Sequence, residues 1–222
     1  MIESTTNKQQ TSNTQAEARA DSLVILDFET TGLSPDQGDR AIEIGAIRLR
    51  NGEVVDQFQA LMNPGKRVSS FIEQYTGISN TMLRTASPCA MVMAEFADYL
   101  QDDNLLAHNA SFDKRLLDAE FARISHQYRG EFTCSLLASR RLNQTLNSHK
   151  LGDLITQFGI AGSGDFHRAL FDSEMTTKLW LTMLADVKQR TGLTSVPFSL
   201  MQKLCKTAKR DVNKLLASYS AM

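Results

Sequence analysis

The segment Leu23-Val24-Ile25-Leu26-Asp27-Phe28-Glu29 constrains the fold more than any other part of this 222-residue chain. Its apolar run reads as a buried strand. Side chains alternate along a strand, so Leu23, Ile25, Asp27 and Glu29 share one face, and Val24, Leu26 and Phe28 take the other. Two carboxylates are thus presented together at the C-terminal end of a strand that is otherwise apolar on both faces. Burying paired acids costs free energy through desolvation and mutual repulsion. A divalent cation removes that conflict, and Mg²⁺ and Mn²⁺ favour carboxylate oxygens. Two strand-end acids pointing into solvent would look the same in sequence, so the pair by itself leaves both readings open.

The remaining signals alternate between strand and helix. Residues 30–35 read as a turn, punctuated by Gly32 and Pro35. Residues 41–50 and 53–62 read as two strands around Asn51-Gly52, a strong hairpin signal. Short helices are expected over 69–74 and 80–84. A longer one is expected over 88–100, with Met91, Ala94, Phe96 and Leu100 facing the core. A short strand at 105–107 precedes a helix over 111–124 that Ser111 would cap. Residues 132–142 read as a strand passing into a helix. Residues 149–158 read as a helix capped by Ser148, and 168–188 as a long helix carrying Leu170, Phe171, Met175, Leu179, Trp180 and Met183. This order predicts an α/β layer fold with a mixed sheet.

The length suffices for one good-sized core rather than two full domains. No apolar run is long enough to span a bilayer. Residues 1–21 are polar and lack the apolar region of a secretory signal, so they read as a disordered tail. Residues 22–188 then form the main domain. Residues 189–222 read as a basic helical extension, with Lys203, Lys206, Lys209, Arg210 and Lys214 among Leu200, Leu204, Leu215 and Leu216. That extension fits either a partner- or strand-binding segment or an amphipathic helix packed on the core. Cys89, Cys134 and Cys205 are an odd count without close pairing, as expected of reduced thiols in a cytoplasmic protein. The formal net charge is −1. Proteins that coat long nucleic acids are usually basic, so any grip on such a strand has to be local.

Two further clusters carry acids. In His108-Asn109-Ala110-Ser111-Phe112-Asp113 the carboxylate falls in the first helical turn, where it also suits the helix dipole. In His167-Arg168-Ala169-Leu170-Phe171-Asp172 the two titratable residues are five apart, and a regular helix would splay them by about 140°. If both serve one site, His167 must lie on the loop or at the helix start, behind the glycine-rich residues 159–164, with Asp172 inside the helix. An ordinary imidazole pKa of about 6.5 suits a general base. A lone surface histidine is the plain alternative. His149 reads as packing or capping at a helix start, and His126 as a surface residue.

Together the three clusters resemble the DnaQ-like (DEDDh) 3′–5′ exonuclease family. The motifs are Asp27-Phe28-Glu29-Thr30-Thr31-Gly32-Leu33, the segment from His108 to Asp113, and the segment from His167 to Asp172. Ala41-Ile42-Glu43-Ile44-Gly45-Ala46, Asn63-Pro64 and Tyr75-Thr76-Gly77-Ile78 are similar to the family's strand and linker sequences, so the resemblance runs over about residues 23–183. It implies an RNase H-like fold, a central mixed five-stranded sheet flanked by helices. It implies two divalent ions, Mg²⁺ or Mn²⁺, held by Asp27, Glu29, Asp113 and Asp172, with His167 as general base. Thr30, Thr31 and Leu33 would contact or wedge the terminal nucleotide, and His108 and Asn109 would lie behind the metal ligands or against the substrate. The implied reaction releases nucleoside 5′-monophosphates from single-stranded or frayed 3′ ends of DNA, in proofreading or repair beside a DNA polymerase. RNA or oligoribonucleotides are the alternative substrate. A non-catalytic polymerase-accessory or nucleic-acid-binding module is a third reading, against which the full set of four acids and one histidine argues. Phe171 departs from the family pattern, which commonly has a small residue there.

Overall fold

The strand that is apolar on both faces lies inside a sheet covered on both faces. This computed structural model describes residues 18–164 and 166–220. β1 (Val24–Thr30) pairs antiparallel with β2 (Ala41–Arg50), which forms a hairpin with β3 (Glu53–Asn63). Asn51 (φ 54°) and Gly52 (φ 84°) at the hairpin turn are both left-handed, as a two-residue primed turn requires. β4 (Ser87–Pro88) pairs with Met62 and Asn63 at one edge. On the other side of β1, β5 (Leu105–Ala107) and β6 (Phe132–Cys134) run parallel to it. The sheet order is β4-β3-β2-β1-β5-β6. The expected five strands are therefore six. Two residues are too few to show any periodicity, and Pro88, lacking an N–H, is tolerated there because β4 is an edge.

The helices are α1 (Ser70–Thr76), α2 (Asn80–Thr85), α3 (Cys89–Leu100), α4 (Ser111–Arg123), α5 (Ser135–Leu142), α6 (Leu151–Gln157), α7 (Ala169–Thr191), α8 (Phe198–Lys206) and α9 (Val212–Ser220). The alternation along β1 divides them into two layers. Val24, Leu26 and Phe28 pack with Val92, Phe96, Leu116 and Phe121 of α3 and α4. Leu23 and Ile25 pack with Leu154, Leu179, Trp180 and Leu204 of α6, α7 and α8. Asp27 and Glu29 continue the second face beyond the end of that core.

Several local expectations change. Met91 and Ala94 are exposed, and the buried stripe of α3 is Cys89, Val92, Met93, Phe96, Ala97 and Leu100, the i, i+3, i+4, i+7 spacing of one helix face. Ser111 does not cap α4; Ala110 occupies that position after Asn109 turns the chain with φ 70°. Ser148 does not cap α6 either: Lys150 takes the cap position, and the Ser148 hydroxyl donates to the Asp153 carboxylate.

The N-terminal end differs from the sequence reading, and the C-terminal end takes the core-packed form of the two that the sequence allowed. Residues 1–17 of the polar tail lie outside the described residues. The remaining four are not tail-like: Ala20 is fully buried, its N–H donates to the Val196 carbonyl at 2.9 Å, and its carbonyl accepts from Trp180 Nε1 at 2.7 Å. α7 runs past position 188 to Thr191, where Gly192 (φ 75°) ends it. α8 and α9 then bury Phe198, Leu200, Met201, Leu204, Val212 and Leu216 in the core they share with α7. The lysines that suggested an extension lie on the outer face. All three cysteines are buried thiols. Among the described residues no helix is long and apolar enough to cross a membrane.

Candidate active site

Three elements end at one point. β1 delivers Asp27 and Glu29. The first turn of α4 delivers Asp113, whose carboxylate is buried. The first turn of α7 delivers Asp172, whose Oδ2 accepts the His167 N–H at 2.9 Å. His167 lies on the loop just ahead of α7 in a left-handed conformation (φ 67°), as the five-residue spacing requires. The structure brings Glu29, His167 and Asp172 within 4.8 Å of one another, counted between atoms able to ligate a metal.

The position of α7 is set by β2. The Glu43 carboxylate is fully buried and accepts from Arg168 Nη2 (2.7 Å), Arg168 Nε (3.1 Å), the Ala169 N–H (3.1 Å) and Gln59 Nε2 (3.0 Å). A buried carboxylate needs such saturation, and here its donors include the first residue of the helix carrying Asp172. Two residues on, Gly45 lets the helix backbone touch the strand. A Cβ at Gly45 would fall 2.1 Å from the Leu170 nitrogen, and the Gly45 carbonyl accepts from Ser173 Oγ at 2.9 Å. The Ala41–Ala46 segment therefore has a positional role that its sequence does not announce.

The resulting electrostatics are strained for a carboxylate cluster. Asp27 is held well above its ordinary pKa by desolvation and then by the charges of Asp113, Asp172, Glu29 and Glu43. Desolvation, reinforced by Asp172 and Glu43, pushes Glu29 up to about 8. Burial raises Asp113 to about 7 and Asp172 to about 6. Asp113 Oδ1 and Asp172 Oδ1 are buried without any hydrogen-bond partner. Orphaned, mutually repelling acid oxygens are what divalent cations satisfy, and a donor set of carboxylates with one imidazole suits hard or borderline ions. The residues present fit such ions.

The neighbouring residues split into those facing the cleft and those shaping it. Leu33, in the turn that follows Glu29, projects into solvent. The Thr30 hydroxyl donates to the Gly32 carbonyl (2.6 Å) and the Thr31 hydroxyl to Asp39 Oδ1 (2.8 Å), so both side chains shape the turn after β1. Arg40 pairs with buried Glu120 of α4 at 2.8 Å and secures that turn from its other end. His108 has both ring nitrogens engaged, Nδ1 with Ser135 Oγ and Nε2 with the His149 carbonyl, each at 2.9 Å. Both ring nitrogens are therefore engaged within the protein, tying the end of β5 to α5 and to the start of α6. Asn109 is exposed at the turn into α4. The His149 ring bonds Ser139 Oγ, and His126 packs edge-on against Phe121.

Two aromatic residues complete the cleft and carry no acid–base signature in sequence. The Tyr75 ring lies 3.9 Å from the His167 ring, and Phe71 stacks on Tyr75 at 5.6 Å. Both aromatics are exposed. Their i, i+4 spacing on a short helix could have suggested a shared face but not which way it points. Phe171 packs edge-on against Phe166 at 5.2 Å. Gly164 leaves the room that its ring fills, since a Cβ there would lie 2.5 Å from Phe171 Cδ2.

Comparison with known proteins places this arrangement among nucleases. An exonuclease family model of the RNase T type matches residues 24–180. Polymerases named DNA polymerase III PolC-type, from Staphylococcus epidermidis and Staphylococcus aureus, are 34% identical over 170 residues, which is 75% of this chain and 12% of theirs. The chain thus matches only a small part of those relatives' length. Among solved structures, exonuclease X in complex with 5′ overhanging duplex DNA aligns over 82% of this chain and 99% of its own, with TM-score 0.63 and 23% identity. The nuclease domain of 3′hExo, described as a DEDDh family member bound to rAMP, aligns over 77% of this chain and 95% of its own, with TM-score 0.66 and 21% identity. At these identities the structural likenesses carry the fold, which is RNase H-like.

Proposed function

Because the chain belongs to the exonuclease family, we propose that it removes nucleotides one at a time from the 3′ end of DNA, releasing nucleoside 5′-monophosphates. The observation that carries this reading is the convergence of four carboxylates, two with orphaned oxygens, beside an exposed apolar and aromatic face. Leu33, Phe71 and Tyr75 offer the bases of an unpaired strand end a surface on which to stack. Asp27, Glu29, Asp113 and Asp172 would hold two divalent ions, Mg²⁺ or Mn²⁺, which when bound supply Lewis acidity at the phosphate and an acidified water.

This chain's own residues supply the proton transfer and the orientation. Burial lowers the His167 pKa from its ordinary value, so the ring is neutral near pH 7 and able to accept a proton. A water oxygen attacks the terminal phosphorus as His167 takes its proton. The bond from phosphorus to the 3′ oxygen breaks, that oxygen is protonated from solvent, and the terminal nucleotide leaves with the phosphate. Tyr75 packs on the His167 ring and keeps it facing Glu29 and Asp172.

DNA as substrate, and a proofreading or repair role beside a polymerase, are supported by relatives at 34% identity that are named as DNA polymerases. RNA is the competing substrate, favoured by one neighbour's complex with rAMP. The test is digestion of 5′-labelled DNA, matched or mismatched at the 3′ end, and of the equivalent RNA, with Mg²⁺, Mn²⁺ or EDTA. Single-nucleotide shortening from the 3′ end should require metal, favour DNA, and fall to background in Asp27→Ala and Asp172→Ala. Undiminished turnover by Asp27→Ala in metal-replete buffer would sink the metal-dependent mechanism. Faster digestion of RNA would transfer the assignment to RNA trimming.

A further inference from the structure

A second concave site lies on the rim of the cleft and has the opposite charge. Lys66, Arg67 and Arg84 line a cavity of about 440 Å³ with Asn63, Asn80 and Thr81, and none of its lining residues is acidic. In a chain of net charge −1 this is a local concentration of cations. Among the described residues Arg67 and Arg84 form no ion pair, and Lys66 reaches only the Gly38 carbonyl at 2.8 Å and Asp39 Oδ1 at 3.4 Å.

The pocket is built, not assembled from chance surface side chains. Gly65 turns the chain with φ 73°, and its N–H donates to Asn63 Oδ1 at 2.9 Å, which sets Lys66 and Arg67 at the mouth. Asn80 is doubly bonded to Val68, accepting its N–H at 2.9 Å and donating to its carbonyl at 3.0 Å, so the 66–68 segment is pinned to α2. Arg84 comes from the same helix and donates to Thr81 Oγ1 at 3.2 Å.

Its placement relates it to the cleft. Lys66 holds Asp39, which in turn accepts from Thr31 and from the Ser34 N–H in the turn that follows Glu29 and presents Leu33. α1 begins four residues after Lys66 and carries the Phe71–Tyr75 stack that ends against His167. The cations are thus tied to both flanks of the acidic site, through Asp39 to the turn that carries Leu33 and by chain continuity to the helix that carries Phe71 and Tyr75.

We propose that the pocket of Lys66, Arg67 and Arg84 is a phosphodiester subsite that grips the backbone of the substrate strand a few nucleotides 5′ of the end being processed. This rests on reading the acidic cleft as a nuclease site. Phosphate contacts hold a strand without reading its sequence, as a processive or length-sensing grip requires.

The experiment measures binding, not hydrolysis, in the inactive Asp27→Asn background with Mg²⁺ present. A labelled dinucleotide, a twelve-nucleotide oligo-dT and a blunt duplex are titrated across a salt series. Replacing Lys66, Arg67 and Arg84 together by alanine should weaken the longer single strand about tenfold at low salt and leave the dinucleotide unchanged. The slope of log affinity against log salt should become shallower by about 2, since each of three lost contacts contributes about 0.7. Arg67→Gln with Arg84→Gln preserves bulk and should give part of the same change, which guards against misfolding of the triple variant. Unaltered affinity and slope would overturn the proposal, as would an equal loss on the dinucleotide or a loss confined to the duplex. Dependence of long-strand binding on these cations, together with an unsubstituted protein that shortens no strand with Mg²⁺ or Mn²⁺, would remove the nuclease reading and leave the subsite standing.

Discussion

Asp113 is 2% exposed and Leu33 is 74% exposed, although both border the same cleft. The floor of the cleft comes from the ends of β1, α4 and α7, elements fixed by distant partners such as Arg40 for Glu120 of α4 and Glu43 for the start of α7. The rim comes from the turn after β1 and from the short helices α1 and α2, whose aromatic and basic side chains point into solvent. The floor is arranged for chemistry, in which displacement by a fraction of an ångström is costly. The rim offers area, charge and stacking faces to a flexible strand, which tolerate small shifts. Damage to the floor should therefore appear in kcat, and damage to the rim in KM or Kd.

The largest effect short of removing an acid is expected from a residue that touches no substrate. Gly45→Ala would bring a Cβ to 2.3 Å from the Ala169 carbonyl carbon and closer still to Leu170, so α7 must lift from β2. That movement carries Asp172 and the preceding His167 away from β1. The expected outcome is a fall in kcat of about a hundredfold or more, with overpacking lowering stability by about 1–3 kcal/mol. Steady-state kinetics beside a denaturant titration would measure both. A variant that lost stability but kept kcat would show that α7 does not depend on this contact to deliver Asp172, and the floor would be less rigid than its contacts suggest.

The boundary between floor and rim runs through Tyr75, which stacks on His167 on one side and on Phe71 on the other. Phe71→Ala should raise KM by about tenfold with kcat little changed, the size of one lost base-stacking contact of about 1–3 kcal/mol. Tyr75→Ala should raise KM similarly and also lower kcat, because His167 loses its packing. Equal kcat values in the two variants would put Tyr75 wholly on the rim.

The same boundary marks how much was legible in sequence. The two faces of β1, the hairpin at Asn51-Gly52, the first-turn position of Asp113 and the loop position of His167 all follow from local periodicity and spacing. What escaped depends on contacts between distant residues. Glu43 and Arg168 lie 125 positions apart, and nothing near Glu43 says that it anchors a helix. Gly45 reads as an ordinary strand residue until α7 is laid across it. Met91 and Met93 are interchangeable by composition, and only packing against the sheet selects Met93. The leucines of α8 and α9 fit a packed amphipathic face in sequence, but only the tertiary contacts say that they share a core with α7. Ala20 was grouped with a polar tail although the Trp180 indole, 160 residues away, bonds it.

The smallest expected effect concerns His108, which supports the floor from behind and touches neither the acids nor the rim. Burial lowers its pKa to about 4, against an ordinary 6.5. In the neutral ring Nε2–H donates to the His149 carbonyl, leaving Nδ1 to accept from the Ser135 hydroxyl. Because the folded pKa is depressed, the stabilisation is present in full above about pH 6.5. It declines as pH falls toward 4, where the unfolded chain takes the proton first. The loss is roughly 1–3 kcal/mol after discounting for the partial exposure of the ring. The acids of the floor have raised pKa values and so act in the opposite sense, gaining stability as pH falls. A difference measurement separates the two: the stability gap between the parent and His108→Asn should narrow from pH 7 to pH 4, while the acids contribute equally to both. A gap independent of pH would mean that the ring is not held neutral, and that the scaffold behind the acids is as open to water as the rim.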